Sequence, residues 1–259
     1  MPSICLSCII YTIYDKQIEE NKYVTIFLLW LSQLIKVGGL TKDDILHMYI
    51  DKRTIEYLFN NSIFGKLLSK ISFQNQIFGI EAPKTHLEGM MWKYNHSVYT
   101  QDIYMYIDID ILIINSLHNL VESITPNNIY VCIEGLLTNS DYGADIPLEE
   151  IVDGVKGFSA GKFIVYGREL RDNFFKTIQR FCNYDKAYYT IEQPFFNRAI
   201  ITMENIDVDL FVSPKVVLDP DLYNKNTTVL FDCAGEPGNG ELHYSKIMDI
   251  FCLLNCDAL

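Results

Sequence analysis

Apolar runs of strand length alternate with longer apolar stretches of helical spacing through the first half of the chain. Ile4–Ile13 predicts a buried strand, Tyr23–Val37 a helix closed by Gly38-Gly39, Asp44–Ile50 a second strand and Arg53–Leu68 a second helix. Ile77–Ile80 predicts a short strand, Thr85–Tyr94 a helix and Ile103–Ile109 another buried strand. Strands alternating with helices predict an α/β fold, with a mainly parallel sheet flanked by helices on both faces. The pattern then changes. Ile129–Ile133 and Lys162–Tyr166 predict strands on either side of a turn-rich, acidic loop, Asn139–Val155. A loop of that length in a compact domain is often functional. Leu170–Cys182 and Gln193–Ile201 predict helices. Val229–Asp232 predicts a strand entering a Gly-rich loop, and Tyr244–Asn255 predicts the closing helix.

Composition narrows the classes of partner. The 259 residues are 49% hydrophobic, enough for a sizeable core, and carry a net charge of −12. So acidic a chain is a poor match for nucleic acid or an anionic membrane surface, yet a local cation can still seat a diphosphate. No window reads as a membrane span: the most apolar, Tyr23–Leu40, contains Gln33 and Lys36. The start of the chain has no basic n-region, so no signal peptide is expected and the expected location is cytoplasmic. Of the seven Cys residues, Cys5 and Cys8 form a C-x-x-C, but no second such pair or Cys/His pair at zinc spacing accompanies it, and the set reads as reduced, buried thiols.

Charge inside the apolar run at Tyr104–Ile114 is the strongest chemical signal. Asp108 and Asp110 are two residues apart and would share one side of a regular strand. Two carboxylates in such surroundings call for a positive partner, and a divalent cation is the natural one. Alone, the spacing is a weak signal and also fits a turn cap beside a solvated strand end; the apolar surroundings are what point to a cation. Three more stretches join it. Gly157-Phe158-Ser159-Ala160-Gly161 places small residues ahead of a strand, where a turn or a closely approaching ligand would need them. Glu192-Gln193-Pro194 opens a helix, as a plain cap or as a carboxylate held at its N-terminus. Asp232 leads into a loop with Gly235 and Gly238, followed by His243 and Lys246; its backbone N–H groups suit phosphate, and Lys246 suits a leaving phosphate.

In this order the four stretches resemble a GT-A glycosyltransferase, closest in flavour to the glycogenin-like, family-8-type enzymes and their cousins from large DNA viruses. The resemblance covers most of the chain and implies one GT-A domain over residues 1–259, a Rossmann-like nucleotide-diphospho-sugar transferase fold. Residues 1–110 would be its nucleotide-binding half and 111–259 its acceptor-binding half. It implies that Asp108 and Asp110 hold Mn²⁺ or Mg²⁺ on a nucleotide-sugar donor, a UDP-sugar, and that a hydroxyl of a glycan or protein is the acceptor. Glu192 and Gln193 would stand beside the transferred sugar, with Asp145 or Asp153 behind Glu192 as general base. Lys246 would contact the diphosphate. Tyr11, Thr12 and Tyr14 would meet base and ribose, with Asp51 and Lys93 as weaker contacts. Asp232 stands where such enzymes often have a metal-binding His, with His243 as the fallback ligand. Two other readings remain open: a sugar-nucleotide nucleotidyltransferase, though Tyr14-Asp15-Lys16-Gln17 lacks the Gly- and Arg-rich loop it needs, and a non-catalytic sugar-nucleotide or glycan-binding module.

Overall fold

The computed structural model describes residues 2–95, 100–151, 154–233 and 240–256, the last with side chains for 244–252 only. Ten strands are formed among them: β1 (Ile4–Ile10), β2 (Ile45–Asp51), β3 (Gln74–Ile80), β4 (Ile103–Ile107), β5 (Ile111–Ile113), β6 (Asn128–Leu136), β7 (Lys156–Tyr166), β8 (Ile206–Asp207), β9 (Val216–Val217) and β10 (Leu230–Asp232). Seven of them make a mixed sheet in the order β3-β2-β1-β4-β7-β6-β8, and β5-β10-β9 make a small second sheet. The chain is thus α/β, with a mixed sheet flanked by helices, and its β3-β2-β1-β4 part is wholly parallel.

The pleat divides the core in two. Ile4, Leu6, Cys8 and Ile10 of β1 join Ile103, Met105 and Ile107 of β4 on an aliphatic face, covered by the helix Lys22–Val37 and the second sheet. Tyr104, Tyr106 and Phe163 stand on the other face, which is aromatic and covered by the helices Arg168–Phe181 and Gln193–Ile200. Alternation of side chains along a strand produces this division.

Three expectations change. The helix expected over Arg53–Leu68 is two, Lys52–Asn60 and Ser62–Leu68, because Asn61 is extended and its side chain caps the second. The helix expected over Thr85–Tyr94 is a short α-helix, His86–Met90, continued as a tighter turn over Met91–Tyr94. The small residues Gly157–Gly161 form no turn; they lie inside β7, which is eleven residues long and shifts register against β6. No helix among the described residues is long and apolar enough to cross a membrane.

Candidate functional site

β1 pairs in parallel with β2 on one side and β4 on the other, so the connections leave it in opposite directions. Crevices for ligands form beyond the carboxyl ends of strands at such a switch point. Here a cleft of about 820 Å³ lies there, walled by Ile9–Ile13 after β1 and Asp108–Ile111 after β4.

Asp108 and Asp110 are not on a regular strand. β4 stops at Ile107, and a turn closes through Ile111 N–H donating to the Asp108 carbonyl at 3.1 Å. Asp108 N–H donates to the Gly161 carbonyl at 2.8 Å, and its Oδ1 accepts the Tyr106 hydroxyl. A Cβ on Gly161 would stand 2.7 Å from Asp108 Oδ2, so only glycine leaves this carboxylate room. Asp232 reaches the same place by another route: β10 pairs antiparallel with β5, and Asp232 falls opposite Ile111. Burial holds the Asp108 carboxyl well above the usual carboxylate range, with Asp110 adding to the rise and Lys93 opposing it. Burial raises Asp110 too, with the Asp232 charge next in weight.

Two buried lysines flank these acids. Lys93, fully buried, donates to Glu192 Oε1 at 2.7 Å and to the Ala160 carbonyl at 3.0 Å, with its ammonium 4.4 Å from the Tyr106 ring centre. Lys162 donates to Asp232 Oδ2 at 2.5 Å and Glu134 Oε1 at 2.9 Å. Burial alone would lower the Lys162 pKa; Asp232 and Glu134 override it and push the group far up.

Glu192 and Gln193 line the cleft. Glu192 makes no capping bond to its helix; one oxygen goes to Lys93, and the other has no hydrogen-bond donor among the described residues. Before it, Ile191 has φ +57°, a strained value for a β-branched residue of the kind that collects at functional sites. Gln193 Oε1 accepts from Ala160 N–H at 3.1 Å and so fixes the helix start to β7.

The remaining expected residues divide. Tyr11 and Thr12 line the cleft, with the Tyr11 hydroxyl 3.2 Å from His86 Nδ1. Tyr14 is 58% exposed and outside the cleft wall. Asp51 is a buried brace: it accepts Thr12 N–H at 2.9 Å and caps the helix Lys52–Asn60 through Thr54 N–H at 3.1 Å. Lys93 anchors Glu192 from behind the wall. Asp145 is clamped by Lys186, Tyr188 and Arg198 at 2.8, 3.0 and 3.0 Å, which leaves it unsuited to act as a base. Lys246 lies on the helix Gly240–Cys256, where its charge is felt at Cys233. Gly235, Gly238, Asp153 and the His243 side chain lie outside the described residues.

Lys16, Lys22, Asn21, Glu134, Asp141, Tyr142 and Tyr189 also line the cleft, and none stood out in the sequence. Lys162 carried a signal that was passed over: a cation inside the apolar strand run Phe158–Tyr166 needs a buried anion.

A divalent cation needs several hard donors brought to one point. Among the described residues no three His, Cys, Asp or Glu side chains converge to hold one, and Asp232 is turned to Lys162. Asp108 and Asp110 remain as hard oxygen donors, their proton affinity raised first by burial and then by neighbouring carboxylates. That set fits an ion bound by one or two carboxylates and completed by substrate phosphates and water, and not an all-protein cage.

No protein-family model matches the chain, and no curated protein matches it.

Proposed function

We propose that this chain is a metal-dependent glycosyltransferase of GT-A type, moving a sugar from a nucleoside diphosphate, UDP in the first instance, to a hydroxyl of a glycan or protein. One observation carries the reading: two half-buried carboxylates of raised proton affinity sit in a cleft at the sheet's switch point, with a third, anchored carboxylate in its wall. The first pair suits a cation shared with a diphosphate, and the third suits an acceptor hydroxyl.

Asp108 and Asp110 would hold Mn²⁺ or Mg²⁺, which when bound supplies Lewis acidity to the phosphates. Lys16 and Lys22 place positive charge along the same wall. Tyr11 and Thr12 bound the nucleoside end, in a loop fixed by Asp51 and Asn21. In the transfer, the bond between the anomeric carbon and the diphosphate oxygen breaks, its electron pair leaving with the diphosphate. A new bond joins that carbon to the acceptor oxygen. The acceptor proton passes to the open oxygen of Glu192, which Lys93 holds in place through the other.

The test is a thermal shift with UDP, with and without Mn²⁺, followed by an assay of UDP-sugar hydrolysis. UDP at a hundred times its Kd should add about 2.7 kcal/mol of stability in the presence of Mn²⁺. Asp110→Ala should abolish that gain while the protein stays folded. Glu192→Gln should cut transfer roughly a hundredfold or more with donor binding kept. A shift that ignores Mn²⁺ would sink the cation site. UDP binding without any sugar release would make the chain a binding module.

A further inference from the structure

We infer that the far half of the cleft is a saccharide-binding platform built on Tyr142 and Tyr189, so that the acceptor is a neutral glycan and not a hydroxyl on a peptide. This rests on the transferase reading for its role and on separate residues for its geometry. Gly135 of β6 and Gly157 of β7 are directly paired across the sheet, and together they make a slot for the Tyr142 ring. A Cβ on Gly135 would lie 2.3 Å from Tyr142 Cε2, and one on Gly157 would lie 2.5 Å from Tyr142 Cγ. Any other residue at either place would displace the ring. The Tyr142 hydroxyl is tied down as well, donating to the Glu134 carbonyl at 3.2 Å. One face of the ring is thus pressed on the sheet, while the residue still lines the cleft. Tyr189 lines the same cleft and is 63% exposed, so it stands open to a ligand there. The two tyrosines hang from separate segments fastened together: Thr190 Oγ1 donates to the Asp141 carbonyl at 2.6 Å.

The chemistry of this surface selects among ligands. Aromatic faces carry negative charge and attract the weakly positive C–H faces of a pyranose ring. Sugar hydroxyls need acceptors around that contact. The Asp141 carboxylate, with no hydrogen-bond donor among the described residues, lines the cleft beside Tyr142, and Glu134 lines it too. Glu134 is paired with Lys162, but the Asp141 carboxylate, in a chain of net charge −12, repels uronic acids, sialic acids and phosphopeptides. A peptide acceptor would call instead for an exposed strand edge or a row of apolar side-chain pockets. A ring platform rimmed by acceptors suits a neutral sugar better.

The full-length protein is applied, with Mn²⁺ and UDP, to an array of neutral and acidic glycans, and its hits are titrated by intrinsic fluorescence. Neutral glycans should bind and acidic ones should not. Tyr189→Ala should weaken binding roughly tenfold or more. Tyr142→Ala should do the same and Tyr142→Phe should restore it, because the ring and not the hydroxyl makes the platform. Mn²⁺-dependent UDP binding, measured on the same samples, should stay within about twofold in all three variants. Glycan binding unchanged in Tyr189→Ala, binding confined to acidic glycans, binding to no glycan, or transfer to a peptide hydroxyl alone each overturns the inference. Loss of UDP binding by the unaltered protein, with glycan binding intact, overturns the donor reading instead.

Discussion

The two faces of the central sheet bury charge in different ways. On the aromatic face Lys93 meets one carboxylate, Glu192, and shares its charge with the Tyr106 ring 4.4 Å away. On the aliphatic face, the side of the pleat to which Lys162 belongs, the ammonium meets two carboxylates, Asp232 and Glu134. Each arrangement flanks one end of the Asp108–Asp110 turn: Lys93 is the cation felt most at Asp108, and Lys162 the one felt most at Asp110. A buried charge needs a partner wherever it lies, but the surroundings decide how many partners it takes. Rings supply part of the compensation on one side, and a second acid supplies it on the other.

The contrast is broken most forcefully by Lys162→Met. It leaves two acids facing each other without a cation, and losing one partner of a buried pair costs about 3–5 kcal/mol. Denaturant unfolding should place this variant at the upper end of that range. Pairing it with Asp232→Asn should recover part of the loss; no recovery would mean that the pair does not act as a unit. Lys93→Met strands one acid and should cost less, about 3 kcal/mol. A Lys93 variant less stable than the Lys162 one would remove the proposed help from the Tyr106 ring.

An effect of similar ceiling, spread over a titration and reached only in acid, is a pH dependence on the aromatic face. His47 is buried beside Phe78 and Tyr49, and burial pushes its pKa down to about 4. The unfolded chain takes up this proton near pH ~6.5, before the native state does. Stability from this residue is therefore complete above pH ~6.5 and falls as pH drops towards 4, by up to ~3 kcal/mol. His47→Phe should flatten that limb of the stability–pH curve; an unchanged slope would remove His47 as its source.

Much of this arrangement was open to sequence reading, for reasons that also mark its limits. Asp108 and Asp110 stood out because charge inside an apolar run is costly, and the alternation of strand-length and helix-length segments gave the sheet and its flanking helices. The break at Asn61 was locally encoded in Asn60-Asn61-Ser62, a run of capping residues, but the apolar spacing on both sides masked it. In sequence, Gly157 and Gly161 fit a turn or a closely approaching ligand; here each makes room for a side chain, Tyr142 and Asp108, that only the folded chain brings near. The Lys162–Asp232 contact joins residues 70 apart, and Lys93–Glu192 joins residues 99 apart. No local pattern carries such pairings. They follow from strand order, which depends on the whole chain.

On the transferase proposal, the loop after β1 has a bearing on which nucleobase the cleft would accept. Asn21 Nδ2 donates to the Tyr11 carbonyl, Arg53 Nη2 to those of Thr12 and Ile13, and Arg53 Nη1 to that of Tyr14. Four successive main-chain oxygens are thereby engaged by the protein itself. A heterocycle settling on this rim would find its own N–H groups competing with an arginine and an asparagine already in place. Discrimination between one base and another would then come from side chains or from the amide hydrogens of other segments, and changing Arg53 would alter the proposed base preference without touching Asp108 or Asp110.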